Sequence, residues 1–291
     1  MNRGITYAAI AYVLWGLFPI YIKSLRPTPP EEIVACRMVG SLLFVLLVLA
    51  FTRHWGWIRQ IAVQPRLIYR FVASALAITV NWGVFIWAIN SGHVVESSLG
   101  YFINPLVNVF LGWAVLREQL RWGQWGAVAL AAAGVGWLTW QSGALPWTGL
   151  ALAFSFSTYG LLRKTASLGA VEGLALETTL LFPFAMSYLV WLAVHEQNSF
   201  INGTHTMRWL LGVTGPATAI PLMLFAAGAR RIPFSQLGLL QYIGPTLQLL
   251  IGVWIYHEAF PFIRAIGYAT IWLALVLYLI EGAWFSRAAL S

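Results

Sequence analysis

Two amides and a proline interrupt an otherwise apolar stretch, GYFINPLVNVFLGWAVLREQL, at residues 100–120. Tyr101, Asn104, Asn108 and Gly112 follow at intervals of three, four and four, which puts them on one face of a helix. Pro105 has no N–H to give the Tyr101 carbonyl, so a kink or a free carbonyl is expected there. At ~1.5 Å per residue Pro105 lies about 20 Å from Glu118, near a membrane midplane if Glu118 marks the surface. Residues 240–260, LQYIGPTLQLLIGVWIYHEAF, repeat the pattern with Gln241, Pro245, Gln248, Gly252 and Glu258. Amides at mid-membrane, ringed by aromatic side chains, can hold an amphipathic solute by hydrogen bonding and stacking. The candidate lining is Trp15, Asn81, Phe85, Tyr101, Asn104, Asn108, Tyr159, Phe225, Gln241, Tyr242 and Gln248, with Trp82 beside it and helix kinks at Pro105 and Pro245. The alternative is that the amides only tie helix to helix, worth ~1 kcal/mol each.

Arg37 and Glu177 are the intramembrane charges, each the chemistry of a substrate or proton site, or else of helix-end electrostatics. They sit 140 positions apart, yet each lies ~7 Å from its own surface on opposite sides of the midplane, so a direct ion pair is not expected. Arg163 or Lys164 is the expected neighbour of Glu177, and Arg37 is expected to snorkel or meet Glu96. Glu118 and Glu258 read as caps or loop bridges at helix ends.

Other chemistries find no support. The chain has no G-x4-G-K-[ST] for ATP, no H-E-x-x-H for zinc, and no aspartate, which excludes an aspartyl protease. No Ser/His arrangement rises above chance, so an enzyme, a cofactor or a bound metal is not expected. The single cysteine, Cys36, excludes an intramolecular disulfide.

The elements that must position these residues follow from composition. Of 291 residues 60% are hydrophobic and only 9% charged, against ~25% charged in soluble domains. The class is therefore all-α and polytopic in a membrane. Ten apolar runs fall near 4–22, 32–52, 70–90, 95–116, 122–141, 146–162, 172–194, 208–229, 235–256 and 262–284. The first reads as a membrane helix rather than a removed signal. The net charge of +8 comes from arginines set singly between these runs, which suits an anionic membrane face and not nucleic acid. With the N-terminus cytoplasmic, inside segments hold 12 of the 17 Lys and Arg and outside segments 4, Arg37 being within a helix; this predicts both termini inside. Trp55, Trp57, Trp122, Trp125 and Trp140 fall near helix ends as interface anchors. The run GAVALAAAGVG at 126–136 permits close helix packing, internally or between copies.

A shift of 140 superposes Glu32 on Glu172, Phe85 on Phe225, and P-x2-N-x3-G-x5-E on P-x2-Q-x3-G-x5-E. Each half holds five runs, residues 4–141 and 146–284, and an odd number makes the second half enter the membrane from the opposite side. Inverted repeats of this kind recur in secondary transporters, which bind substrate near the midplane and alternate access.

NWGVFIWAINSGHVVESSLGYFINPLVNVFLG (81–112), FSFSTYGLLRK (154–164), LET (176–178) and LGLLQYIGPTLQLLIG (237–252) resemble the RarD branch of the EamA family, within the drug/metabolite transporter superfamily. The resemblance spans nearly the whole chain. It implies two inverted five-helix EamA repeats, a bacterial inner-membrane location, and export of small metabolites or drugs, with protons a possible coupling ion. One departure is Cys36 before Arg37, where the family usually carries a histidine, so no histidine-based proton step carries over. The other reading is a flippase for a lipid-linked substrate, or a membrane partner that transports nothing.

Overall fold

Runs this apolar must satisfy every backbone N–H and C=O internally once water is gone, and the helix does so within one segment. The computed structural model describes residues 2–90, 94–141, 143, 147–257 and 262–288. Its elements are α1 (Arg3–Ser24), α2 (Pro30–Thr52), α3 (Gly56–Val63), α4 (Arg66–Asn90), α5 (Val94–Ala114), α6 (Trp122–Gln141), α7 (Trp147–Thr165), α8 (Ala170–Val194), α9 (Ser199–Asn202), α10 (His205–Ala229), α11 (Phe234–Leu240), α12 (Ile243–Leu250), a π-helical turn (Ile251–Ile255) and α13 (Phe262–Ala288). No strand occurs among the described residues. Among the described residues seven segments are long and apolar enough to cross a membrane: α1, α2, α4 to Phe85, α8, α10, Phe234–Ile255 and α13 to Glu281.

Local chemistry sets the ends. The Asn2 side chain accepts from Gly4 N to open α1, and Thr204 accepts from Met207 N to open α10. α2 starts on Pro30 with Glu31 and Glu32 in its first turn, where acids suit the helix dipole. It stops at Arg53, whose φ of 54° is left-handed. The two longer connections, 53–69 and 195–207, carry the short helices α3 and α9, which the polar composition there hid.

The two prolines expected to kink their helices behave differently. Pro245 follows a real break: the Gln241 carbonyl accepts from Gly244 N at 3.1 Å in a tighter turn, and the run expected as one helix over 235–256 becomes α11, α12 and the π turn. Pro105 leaves α5 continuous, pressed between α7 and α11. Both helices then widen at the same register. Leu116 N donates to Leu111 O at 3.3 Å, and 140 positions later Tyr256 N donates to Ile251 O at 3.1 Å.

Packing runs mostly between the two sets of helices. α1 lies on α10, and α7 on α4; α1 meets α12, and α7 meets α5; α2 packs on α10, and α8 on α4. The remaining major pairs are α2 with α8, α5 with α11, and α6 with α13. α2 and α10 cross at Gly40 and Gly215, where a Cβ on Gly40 would lie 2.9 Å from the Gly215 Cα. In the small-residue run, Gly134 packs internally against Gly267 and Ile271, while Gly126 and Gly136 face open space. One core cluster centres on Tyr12, Val45, Tyr159, Leu222 and Phe225; a second joins Phe102, Leu138, Tyr242 and Ile271. Large apolar side chains cover the outside, among them Phe51, Phe262 and Trp122, the last 92% exposed, as a lipid-facing surface requires.

Candidate functional site

A small cavity of about 10 Å³, room for a single water, lies among α2, α4, α7, α8 and α10. Its wall is built from residues 140 positions apart: Met38 with Thr178, Ser41 with Leu181, Ile78 with Thr218, and Trp82 with Leu222. Leu174, Tyr159 and Glu177 complete it.

Glu177, on α8, is 2% exposed and meets polar side chains of two other helices, α4 and α7. Arg163 of α7, equally buried, brings Nη1 to 3.7 Å from its Oε1. Ser74 of α4 donates to the same oxygen, and Tyr159 donates to Oε2 at 3.4 Å. Arg163 Nη2 donates to Ala170 O at 2.8 Å, and its guanidinium lies over the Phe71 ring at 5.6 Å. This carboxylate is matched by a charge and two hydroxyls, the condition under which a buried ion persists.

Arg37, on α2, is held differently. Its Nε donates to Thr218 Oγ1 at 2.8 Å, and its guanidinium carbon lies 5.1 Å from the Phe18 ring centroid and 5.0 Å from that of Trp82. Thr218 and Trp82 both line the cavity, so Arg37 stands behind one wall of it while Glu177 forms another. The two charges do not pair with each other. Glu96, Trp87 and Glu258 lie outside the described side chains, as does His93.

An aromatic cluster adjoins the cavity. Trp15 contacts Phe156 and Phe225 with ring centroids 5.8 and 5.7 Å apart, and Tyr159 stacks on Phe225 at 6.2 Å. Phe85 meets Tyr101 edge-on at 6.2 Å.

The amides bond helix to helix in this state. Asn104 Nδ2 donates to Ala153 O at 3.2 Å and its Oδ1 accepts from Ser157 Oγ at 3.2 Å. Asn108 Nδ2 donates to Gln241 Oε1 at 2.9 Å, which leaves the buried Asn108 Oδ1 without a partner among the described residues. Asn81 Nδ2 reaches Leu152 O and Ser155 Oγ, Gln248 Nε2 reaches Trp15 O, and the Tyr242 hydroxyl reaches Phe102 O. Of the candidate lining residues only Tyr159 borders the cavity directly, beside Trp82 and Glu177. Sequence reasoning missed Ser74 and Thr218. Both lie on regular stripes, 74/78/82 and 214/218/222, that a search at four-residue spacing reveals.

Polar contacts also join the two sets of helices near both ends of the bundle. At the end carrying Arg3, Glu118 accepts from Phe234 N at 2.5 Å, Ser235 N at 2.9 Å and Ser235 Oγ at 2.8 Å, which caps α11. Gly112 makes room for that carboxylate, since a Cβ there would lie 2.8 Å from Glu118 Oε2; this is what the Gly–Glu spacing provides. Arg121 pairs with Glu281 at 2.6 Å nearby. At the opposite end Lys23 sits 3.3 Å over the Tyr256 ring, and Glu32 accepts from Ser199 N at 2.6 Å.

The sequence compares closely with known proteins. The family model described as the EamA-like transporter family matches residues 2–140. Protein RarD of Streptomyces exfoliatus is 46% identical over 276 residues, covering 95% of this chain and 88% of that protein. The chain belongs to the EamA-like transporter family. Within it the RarD branch is the match: Protein RarD of Escherichia coli K12 is 39% identical, covering 98% of this chain and 97% of that protein. The transporter YojE of Bacillus subtilis is 44% identical, with 100% and 98% covered. A solved crystal structure superposes with a TM-score of 0.68 over 96% of this chain and 98% of that one at 17% identity, which shows the fold. The chain is thus a multi-pass membrane protein of a transporter family, and its similarity is to transporters rather than enzymes.

Proposed function

We propose that this EamA-family chain is a secondary transporter of the bacterial inner membrane that exports small metabolites or drugs by alternating access. In this reading ten crossings form two inverted repeats, residues 4–141 and 146–284, with both termini cytoplasmic. The observation that carries it is the cavity wall, four pairs of residues each related by the same shift of 140. A cavity so built lies on the axis relating the halves, where such transporters hold substrate. The exchanged helix contacts, α1–α10 with α7–α4 and α2–α10 with α8–α4, support the same symmetry.

The substrate path we assign runs past Trp15, Tyr159, Phe225, Trp82 and Glu177, with Asn104, Asn108 and Gln241 as the hinge-side amides between α5, α7 and α11. Glu177 is the group we assign to proton coupling. The test is uptake and efflux of labelled amino acids, sugars and drugs by proteoliposomes, with and without a pH gradient. Flux that follows the gradient supports the reading, and no protein-dependent flux for any class refutes it.

A further inference from the structure

The charges around the cavity do not balance. Arg163 and Glu177 form an ion pair, while no ion pair joins Arg37 to a carboxylate among the described residues. Arg37 is nonetheless held in place, with its Nε on Thr218 and its guanidinium carbon 5.1 and 5.0 Å from the ring centroids of Phe18 and Trp82. Rings attract a guanidinium through its flat face and leave its N–H edge in the plane for an acceptor. That edge is the fork that matches a carboxylate bidentately. A positive charge in the low-dielectric part of a membrane protein is costly alone, and an entering anion relieves that cost. Thr218 and Trp82, the two groups that fix Arg37, are themselves cavity wall.

We infer that Arg37 is the recognition group for a small organic monoanion, a carboxylate whose apolar body lies against Phe18 and Trp82. This rests on the transporter reading of the cavity and specifies its substrate class. The cavity in this structure is far smaller than such a molecule, so binding takes place once it has widened. The charge also supplies a driving force. An inside-negative potential pushes a monoanion outward, and each 100 mV supports about a 50-fold gradient without any coupling ion.

The experiment uses the full chain in detergent and in proteoliposomes. Benzoate and hexanoate are compared with their neutral amides, benzamide and hexanamide, by thermal stabilisation and by exchange of radiolabelled benzoate. Wild type is expected to respond to the two anions and not to the amides. Arg37→Gln should weaken the anion response at least tenfold, and Arg37→Lys, which keeps the charge but loses the planar fork, should retain only part of it. The unliganded melting temperature and the size-exclusion profile of each variant show whether it has folded. An equal response to anions and amides, no response of wild type to either anion, or full anion binding by folded Arg37→Gln overturns the assignment. Benzoate binding without exchange upholds the Arg37 site and refutes the transporter reading. Exchange of neutral solutes that is indifferent to Arg37→Gln does the reverse.

Discussion

Removing Arg163 should destabilise the protein more than removing almost any other single side chain, and removing Glu177 with it should restore most of the loss. The two charged groups lie 3.7 Å apart, both nearly inaccessible. At that distance, with an effective dielectric constant of ~20, the attraction is about 4–5 kcal/mol. Taking both groups out of water costs a comparable amount, so the pair itself adds little net stability. Arg163→Met leaves the Glu177 carboxylate buried with only the hydroxyls of Ser74 and Tyr159 as donors. Its expected cost is about 3 kcal/mol, toward the lower end of what breaking a buried pair costs. Glu177→Met strands the Arg163 cation, whose Nε already lacks a partner, and should cost about as much. The double variant removes both charges and should fall within ~1 kcal/mol of wild type. Equilibrium unfolding in mixed micelles titrated with a denaturing detergent measures all four corners of the cycle. Single variants each below ~1 kcal/mol, or a double variant as unstable as the sum of the two, would refute the reasoning.

Glu118→Ala removes three acceptor contacts to α11 and should cost about 2–3 kcal/mol, with faster hydrogen exchange at the Phe234 and Ser235 amides as the local readout. Gly215→Leu forces a side chain onto the Gly40 backbone and should lower the melting temperature sharply, whereas Gly136→Leu, on open space, should leave it within a degree or two. Glu177→Gln is expected to flatten the pH dependence of flux in proteoliposomes; unchanged flux with an unchanged pH profile removes Glu177 from proton handling. With Cys36 replaced by serine, a cysteine at Ser24 should react with an impermeant maleimide added to whole cells and one at Arg117 should not; the opposite pattern inverts the proposed topology.

The helices were legible because hydropathy alone sets them: each of the ten apolar runs contains helix, with ends displaced by a few residues. The break at Gln241 was harder to see, because Pro105 and Pro245 look alike in sequence. What separates them is the packing of α5 between α7 and α11, a tertiary fact. The amide stripes pose the same difficulty. Spacing puts Asn104 and Asn108 on one face, but a face does not name its neighbour, and here the neighbours are Ala153, Ser157 and Gln241. Arg163 illustrates another limit. It was legible as the expected neighbour of Glu177, yet as one of the cations at a helix end it was also counted toward orientation. Its burial comes from Phe71 and Glu177 around it and from Gly173, where a Cβ would run into its guanidinium.

The paired wall of the cavity carries one more implication. Its partners stand 140 positions apart but are chemically unlike: Met38 is matched with Thr178, Ser41 with Leu181, Ile78 with Thr218 and Trp82 with Leu222. In an inverted repeat, the two open states are related by exchanging the conformations of the halves. Identical halves would make those states equal in energy. Under the proposed mechanism each exchange would present a different set of groups to water on the two sides, so one orientation would be favoured at rest and a solute would meet unequal affinities on entering and leaving. Divergence between the paired positions would then act as a thermodynamic bias, set in the wall residue by residue.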